Sequence, residues 1–362
     1  MDQSLMDTVF GAVLFDEPGK PCGGWYALGD GEVQRFDTVD QLPEEAVYIT
    51  NLGYEERKAF SSKSFPFLLN DFLREEWTSF FGCLCAFDRR ITTGIAANCF
   101  THIMRLTRAF LDAPDFLPVR SLRHGLYARY SEFERLVGLD ESQALLQATY
   151  YSVNCSFSSQ EQENVRLLSV PWRSHCKAIL ECPLPFGPLK EEEEAFPLKE
   201  EQCCAYLEKV GDWPGLFKVS VRWSDPDTAR LLFFGADPAQ GPFPPYPFWI
   251  ATPDLLLLQR VAKLTIHQSY LWSSKTYLTL AAEIEEAFPI QADLSLSSAV
   301  FFDNIWHAMA CRPGRKTSQS ASVLVNPLIP FIRAMDRCLL FAKAKELEAH
   351  GVTVLGYANG RL

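Results

Sequence analysis

The first fifty residues alternate short apolar runs with turn residues: "TVFGAVLF", then "GKPCGG", then "WYALGDGEVQRF" with Asp30-Gly31 as a hairpin signal, then "AVYITNL". That alternation predicts two or three antiparallel strands followed by a further strand. From Phe67 to Trp77, just after Pro66, the apolar spacing becomes helical, and it does so again from Thr101 to Leu111. Ser121 to Gln147 is expected to be helical too, with Tyr130, Phe133, Leu136 and Val137 forming one apolar stripe. The polar stretch "SSQEQEN" at 158–164 breaks the pattern and sets the expected boundary between a domain at 1–157 and one at 158–362.

Beyond it, "CPLPFGPLKEEEEAFPLKEEQ" mixes prolines with an acidic run, which predicts an extended excursion and then a solvated helix start. Strands are expected in "GLFKVSVRW" and "ARLLFFG". "PFWIATPDLLLLQRVAKL" predicts a short strand and then a helix, with Thr252 as N-cap, Pro253 in the first turn and Asp254 facing the positive helix end. A helical "SLSSAVFFDNIWHAMA" and a basic loop "CRPGRKTSQS" follow. A long helix from about Asn326 to His350, stopped by Gly351, leads to a closing strand through Val352, Val354 and Leu355 and a turn at Asn359-Gly360. The whole reads as a mixed α/β (α+β) chain.

Composition narrows the function classes. A hydrophobic share of 48% with 13% aromatics in 362 residues is that of a folded chain long enough for two or three cores. A formal charge of −11 has the wrong sign for coating nucleic acid, so such a role is confined to a patch or shared with a partner. No run of ~18 apolar residues occurs and the start lacks a secretion signal, which predicts a cytoplasmic protein that does not engage a membrane. Eleven cysteines without zinc-finger spacing predict reduced, mostly buried thiols, and the six histidines stand singly. Nor is there a P-loop, a G-x-S-x-G elbow or an H-E-x-x-H pair.

Order and spacing say more. "YITNLGYEERKAF", with Thr50, Asn51, Leu52, Gly53, Tyr54 and Glu55 in frame, resembles the second exonuclease motif of family B DNA polymerases, H-N-L-x-[FY]-D. "VPWRSHCKAILECPLPFGP" is similar to the segment D-x-x-S-L-Y-P-x-x-M followed by P-x-P-x-G-x-P in the protein-primed branch of phages and linear plasmids. "GLFKVSVRW" and "PFPPYPFWIATPDLLLLQRVAKL" resemble that branch's next strand, proline loop and helix. "AVFFDNIWHAMACRPGRK" stands in the place of the fingers helix, and the final long helix and strand in the place of those leading to Y-x-D-T-D-S. Five segments thus follow the family's order from about residue 45 onward. The resemblance implies an RNase H-like exonuclease-type domain (1–157), then a palm (158–362) with a fingers insertion at about 275–325, the chain ending where the thumb would begin.

The departures are concentrated where the family holds metal. Its polymerases bind two Mg²⁺ through carboxylates of two palm strands, since phosphoryl transfer is chiefly positioning and charge neutralisation. The first Asp should fall at about Val170, yet "LLSVPW" has no acid; the second site falls on Ala358-Asn359-Gly360. The fingers Lys should lie near Val300, and His307 and Ala308 replace that helix's tyrosine and glycine. The exonuclease D-x-E maps to Gly11 and Val13 or, shifted, to Asp16, and Glu55 replaces the second-motif Asp. Asp16 and Glu55, with Glu17 or Glu132 beside them, are the candidates for a residual metal site.

The resulting expectation is a catalytically inactive, polymerase-like protein that needs no cofactor and acts as a nucleic-acid-binding or scaffolding subunit of a larger complex, with a mobile element as its home. A protein-only scaffold and a residual exonuclease are the alternatives. Candidate contacts to DNA or RNA are Arg312, Arg315 and Lys316, with Asn304 and the aromatics Trp306 and Tyr357 for stacking. A second candidate patch is Arg173 with Lys177.

Overall fold

The computed structural model of the chain describes residues 9–17, 22–53, 56, 88–111, 144–145, 147–148, 156–157, 174–190, 194–199, 201–211, 213–223, 247–277, 302, 305–306, 315–316, 323–324, 328–354 and 356–357. It divides into two compact units, Met1–Arg129 with Leu280–Ile305 and Tyr130–Thr279 with Trp306–Leu362. Among the described residues there are two larger sheets, two short two-stranded ribbons and five helices. None of those helices is long and apolar enough to cross a membrane.

In the first unit, β1 (Val9–Phe15), β2 (Gly24–Leu28) and β3 (Gln34–Phe36) form an antiparallel meander. The fourth strand, β4 (Ala46–Thr50), lies parallel to β1 on its other side, giving the order β3-β2-β1-β4. This matches the three-strand opening and further strand expected from the alternating pattern. Strand periodicity places Phe10, Ala12 and Leu14 on one face and Val13 and Phe15 on the other. The first set meets α1 (Arg89–Leu111): Phe10 packs edge-to-face on Phe100 at 5.5 Å, and Thr101 donates to the Phe10 carbonyl at 3.2 Å. The second set joins Phe36, Leu42, Ala46, Tyr48 and Leu52 in a core of its own. Fully burying a side chain such as Phe15 or Phe36 contributes about 1.5–3 kcal/mol. The helix begins twelve residues before the predicted Thr101, because the apolar stripe already starts at Ala96, Ala97 and Phe100.

The second unit is built on β10 (Ala262–Thr276), fifteen residues long. One edge of β10 pairs antiparallel with β8 (Gly215–Trp223), which pairs with β9 (Phe248–Ala251). Its other edge takes β7 (Leu198–Lys199) and, further along, β6 (Leu184–Leu189). Phe217, Val219, Ile250, Leu264 and Ile266 line the face covered by α3 (Glu201–Val210), α4 (Thr252–Leu258) and α5 (Ile329–Ala349), through Tyr206, Leu207, Leu255, Leu258, Leu340 and Phe341. A further helix, α2 (Ser174–Glu181), packs on α5. Short ribbons join β5 (Ser156–Phe157) to β13 (Gly356–Tyr357) and β11 (Arg315–Lys316) to β12 (Val323–Leu324).

Several expectations are corrected here. The predicted helix through "VAKL" ends at Leu258, and "AKLTIHQSY" is strand, because Leu264 and Ile266 alternate with Lys263 and Thr265 at period two. Thr252 is not the N-cap: Ala251 is, and the Thr252 hydroxyl accepts from Gly215 N–H at 2.8 Å and donates to the Trp213 carbonyl at 2.7 Å, tying α4 to β8. Arg315 and Lys316, expected in a loop, are strand residues of a ribbon. Val352 to Val354, expected as strand, are not; the described strand there is Gly356–Tyr357, and Leu355 lies outside the described residues.

The long helix stops as expected. Gly351 takes φ +80, a backbone conformation natural to glycine, and Val352 N–H reaches back to the Leu347 carbonyl at 3.0 Å. The predicted helices at 67–77 and 121–147 and the strand "ARLLFFG" lie outside the described residues, apart from helical Ala144, Leu145 and Gln147.

Candidate functional site

The first unit gathers charge where β1 ends. Asn51, just past β4, fixes that end: its side-chain oxygen accepts from Phe15 N–H and its amide donates to the Phe15 carbonyl, both at 2.9 Å. The next residue, Asp16, is thereby held against β3 and α1. Arg35 Nη2 lies 2.5 Å from Asp16 Oδ2, and Arg89 Nη1 lies 3.6 Å from Asp16 Oδ1. Arg89 also donates to the carbonyls of Phe15 and Asp16. The hydrogen bond from Arg35, more than the partial burial that opposes it, holds the Asp16 carboxyl below the usual carboxylate range. Arg35 and Arg90 both sit over the Trp25 ring, at 5.3 and 6.0 Å.

This geometry can be tested against a pair of divalent ions. Gly11 and Val13, the positions on which the D-x-E frame falls, point into the sheet's interior. Val13 is fully buried in the core, and a Cβ at residue 11 would run into the Ala27 carbonyl and the Leu28 side chain. Neither site has room for a carboxylate or oxygen ligands for Mg²⁺. Asp16, the shifted alternative, already faces two guanidinium groups, which oppose a cation. The residues present in this region do not fit the metal pair. Among the described residues no group of three or more His, Cys, Asp or Glu side chains could hold a metal ion. Glu55 lies outside the described residues.

The second unit contains a different acid–base pair. Arg337 of α5 grips Asp254 of α4 with two parallel hydrogen bonds, Nε to Oδ1 at 2.9 Å and Nη2 to Oδ2 at 2.5 Å, and both side chains are buried. Burial pushes the Asp254 carboxyl upward and the guanidinium works against that push. Asp254 stands in the first turn of α4, as the sequence suggested, and it also cross-links two helices. Next to Arg337, Asp336 accepts from the buried Ser174 hydroxyl of α2. A half-open cavity of about 480 Å³ lies alongside, walled by Pro253, Leu256 and Leu257 of α4 and Leu339 of α5, with Glu181 and Arg260 among its polar residues. Cys338 also lines it; burial pushes that thiol well up and its Sγ bonds to the Pro253 carbonyl, surroundings that disfavour the thiolate. The described cysteines are all free thiols, of which Cys176, Cys182 and Cys203 are buried.

Only some of the residues predicted to touch nucleic acid are among the described ones. Arg315 and Lys316 lie on β11; Arg312, Asn304 and Arg173 are outside the described residues. Lys177 is half-exposed on α2 and pairs with Glu181 at 3.6 Å, one helical turn on. Trp306 and Tyr357 are 4% and 5% exposed, and the Trp306 ring packs on His175 at 5.6 Å. Availability for stacking, as expected for these two rings, does not fit their burial. The sequence reading passed over Arg35, Arg89, the Asp254–Arg337 pair and the cations of β8 and β10, although Lys218, Ser220 and Arg222 in "LFKVSVRW" show the period of two.

No protein-family model matches the chain, and no curated protein does. Among solved structures it is similar to Phi29 DNA polymerase complexed with primer-template DNA, with TM-score 0.46 and 8% identity over 98% of this chain and 79% of that one. The same polymerase complexed with single-stranded DNA gives TM-score 0.43 and 9% identity over the same shares. A likeness of this size carries no weight for activity, substrate or site.

Proposed function

We propose that the chain is a non-catalytic protein of polymerase-like architecture that binds nucleic acid as a subunit of a larger complex. The observation that carries this reading is the state of its acids. Where exonuclease metal ligands would stand, Gly11 and Val13 are packed as core, and Asp16 is neutralised by Arg35 and Arg89. Losing the carboxylates removes the metal and with it several kcal/mol of transition-state stabilisation. Support for the architecture comes from the ordered motif resemblance and from the order β3-β2-β1-β4 with β4 parallel to β1, which an RNase H-like domain requires.

The test is titration of labelled single-stranded and primer–template DNA and RNA at two salt concentrations. Binding that weakens steeply with salt is expected, because neutralised phosphates release counterions. Absence of binding to every nucleic acid at low salt overturns the reading. The half-open apolar cavity favours the second reading, a protein-only scaffold. That reading expects no such binding and a co-purifying protein partner instead.

A further inference from the structure

The five strands of the larger sheet contain no Asp or Glu at all, in a chain that carries 45 acids against 34 Lys and Arg. The same strands contain Lys199, Lys218, Arg222, Lys263 and Lys275. Register decides which of these share a face, since directly paired residues point the same way. Phe217, Val219, Leu264 and Ile266 face the helices. On the opposite face, Lys263 stands across from Arg222, Thr265 lies between Lys199 and Ser220, and Lys218 lies between Gln268 and Trp249. His267 belongs to this face too, its ring bonded to the Ser220 hydroxyl at 2.8 Å. Trp249 and Tyr270 stack there with ring centroids 5.0 Å apart and planes 10° from parallel, and Gln268 donates to the Tyr270 hydroxyl at 2.8 Å.

We propose that this face of the five-stranded sheet is a binding surface for single-stranded nucleic acid, with Lys199, Lys218, Arg222 and Lys263 taking phosphates and the partly buried Tyr270, stacked on Trp249, taking a base. The inference rests on the nucleic-acid-binding reading and gives it a surface. Lys218 and Arg222 lie four residues apart on one extended strand, a span of about 13 Å. That line suits an extended polyanion better than a compact anion. Ring faces beside cations, with Ser220, Thr265 and Gln268 between them, suit a strand whose bases are unstacked, which excludes an intact duplex. An acidic protein segment would use the same cations without needing the ring.

The experiment measures binding of a labelled single-stranded oligonucleotide of about 16 nucleotides to the full chain at about 50 and about 200 mM salt. A Lys218→Ala/Arg222→Ala/Lys263→Ala variant is expected to lose at least about tenfold in affinity and about two units of salt slope. Tyr270→Ala is expected to lose about tenfold with the slope unchanged. If wild-type binds and the sheet variant binds equally well, while an Arg312→Ala/Arg315→Ala/Lys316→Ala variant does not, the sheet surface is wrong and the nucleic-acid reading stands. Failure of wild-type to bind any oligonucleotide removes both. Polyglutamate competing as well as the oligonucleotide, with Tyr270→Ala silent, assigns the face to an acidic protein and overturns the inference. Because three substitutions in one sheet can unfold it, lysine acylation of the wild-type chain is the second measurement. Protection of Lys218 and Lys263 by bound oligonucleotide supports the surface, and unchanged labelling overturns it.

Discussion

Asp16 and Asp254 are both aspartates held by arginine, yet they sit in opposite dielectric settings. The Asp16 side chain is 34% exposed and its arginines are more exposed still, whereas Asp254 and Arg337 are 2% and 4% exposed. In the first unit, water and salt screen the pair, so its removal costs little and its main consequence is chemical: an acid at the end of β1 is committed to cations of the protein's own. In the second unit, the low dielectric makes the pair strong and its rupture expensive, because either partner left alone is a buried charge. The same residue types thus tie an acid to the sheet end in one place and lock two helices together in the other.

The largest effect that would sharpen this contrast is Asp254→Ala, expected to destabilise the second unit by about 3–5 kcal/mol in urea unfolding. Replacing both partners, Asp254→Leu with Arg337→Met, is expected to recover most of that loss, since well-packed apolar pairs often equal a buried ion pair. Recovery of nothing would mean that the hydrogen-bond geometry, not charge burial, holds α4 to α5. Next comes Asn51→Ala, which removes the side-chain hydrogen bonds to the Phe15 N–H and carbonyl while Arg89 still reaches that carbonyl, and should cost about 1–2 kcal/mol.

Asp16→Asn is the smallest, under about 1 kcal/mol, and it should shrink further with added salt while the Asp254→Ala effect does not. Its pH dependence has a definite sign. Folding lowers the Asp16 pKa below the ordinary 3.8, so its contribution is present above that value and is lost as pH falls through the folded-state value. The stability difference between wild-type and Asp16→Asn should therefore vanish in acid and persist at neutral pH. A difference that grows in acid would show that the arginines do not hold the carboxylate.

Much of the fold was legible because period-two and helical spacings are strong in this chain. The strands of the opening meander, "GLFKVSVRW" and the stop at Gly351 each follow from local pattern. The failure at "VAKL" has a local cause as well: the leucine run before it satisfies a helix and a buried strand equally, and only the alternation after Val261 separates them. The candidate site was less legible. The sequence shows which acids the resemblance would require and the chain lacks, but what surrounds the remaining ones depends on contacts far apart in sequence. Asp16 meets Arg35 nineteen residues on and Arg89 seventy-three on, and Asp254 meets Arg337 eighty-three on. Stacking roles for Trp306 and Tyr357 rested on residue type alone, which says nothing of burial. The basic sheet face was within reach of periodicity, and only the register showed that β7, β8 and β10 bring their cations to one side.

We propose that the polymerase-like frame engages nucleic acid without chemistry. The most direct test is incubation of the full chain with labelled primer–template, Mg²⁺ or Mn²⁺ and all four nucleotides, followed by sizing of the primer. The primer is expected to be bound and to keep its length. Metal-dependent extension, or trimming that disappears with Glu55→Gln, would contradict it.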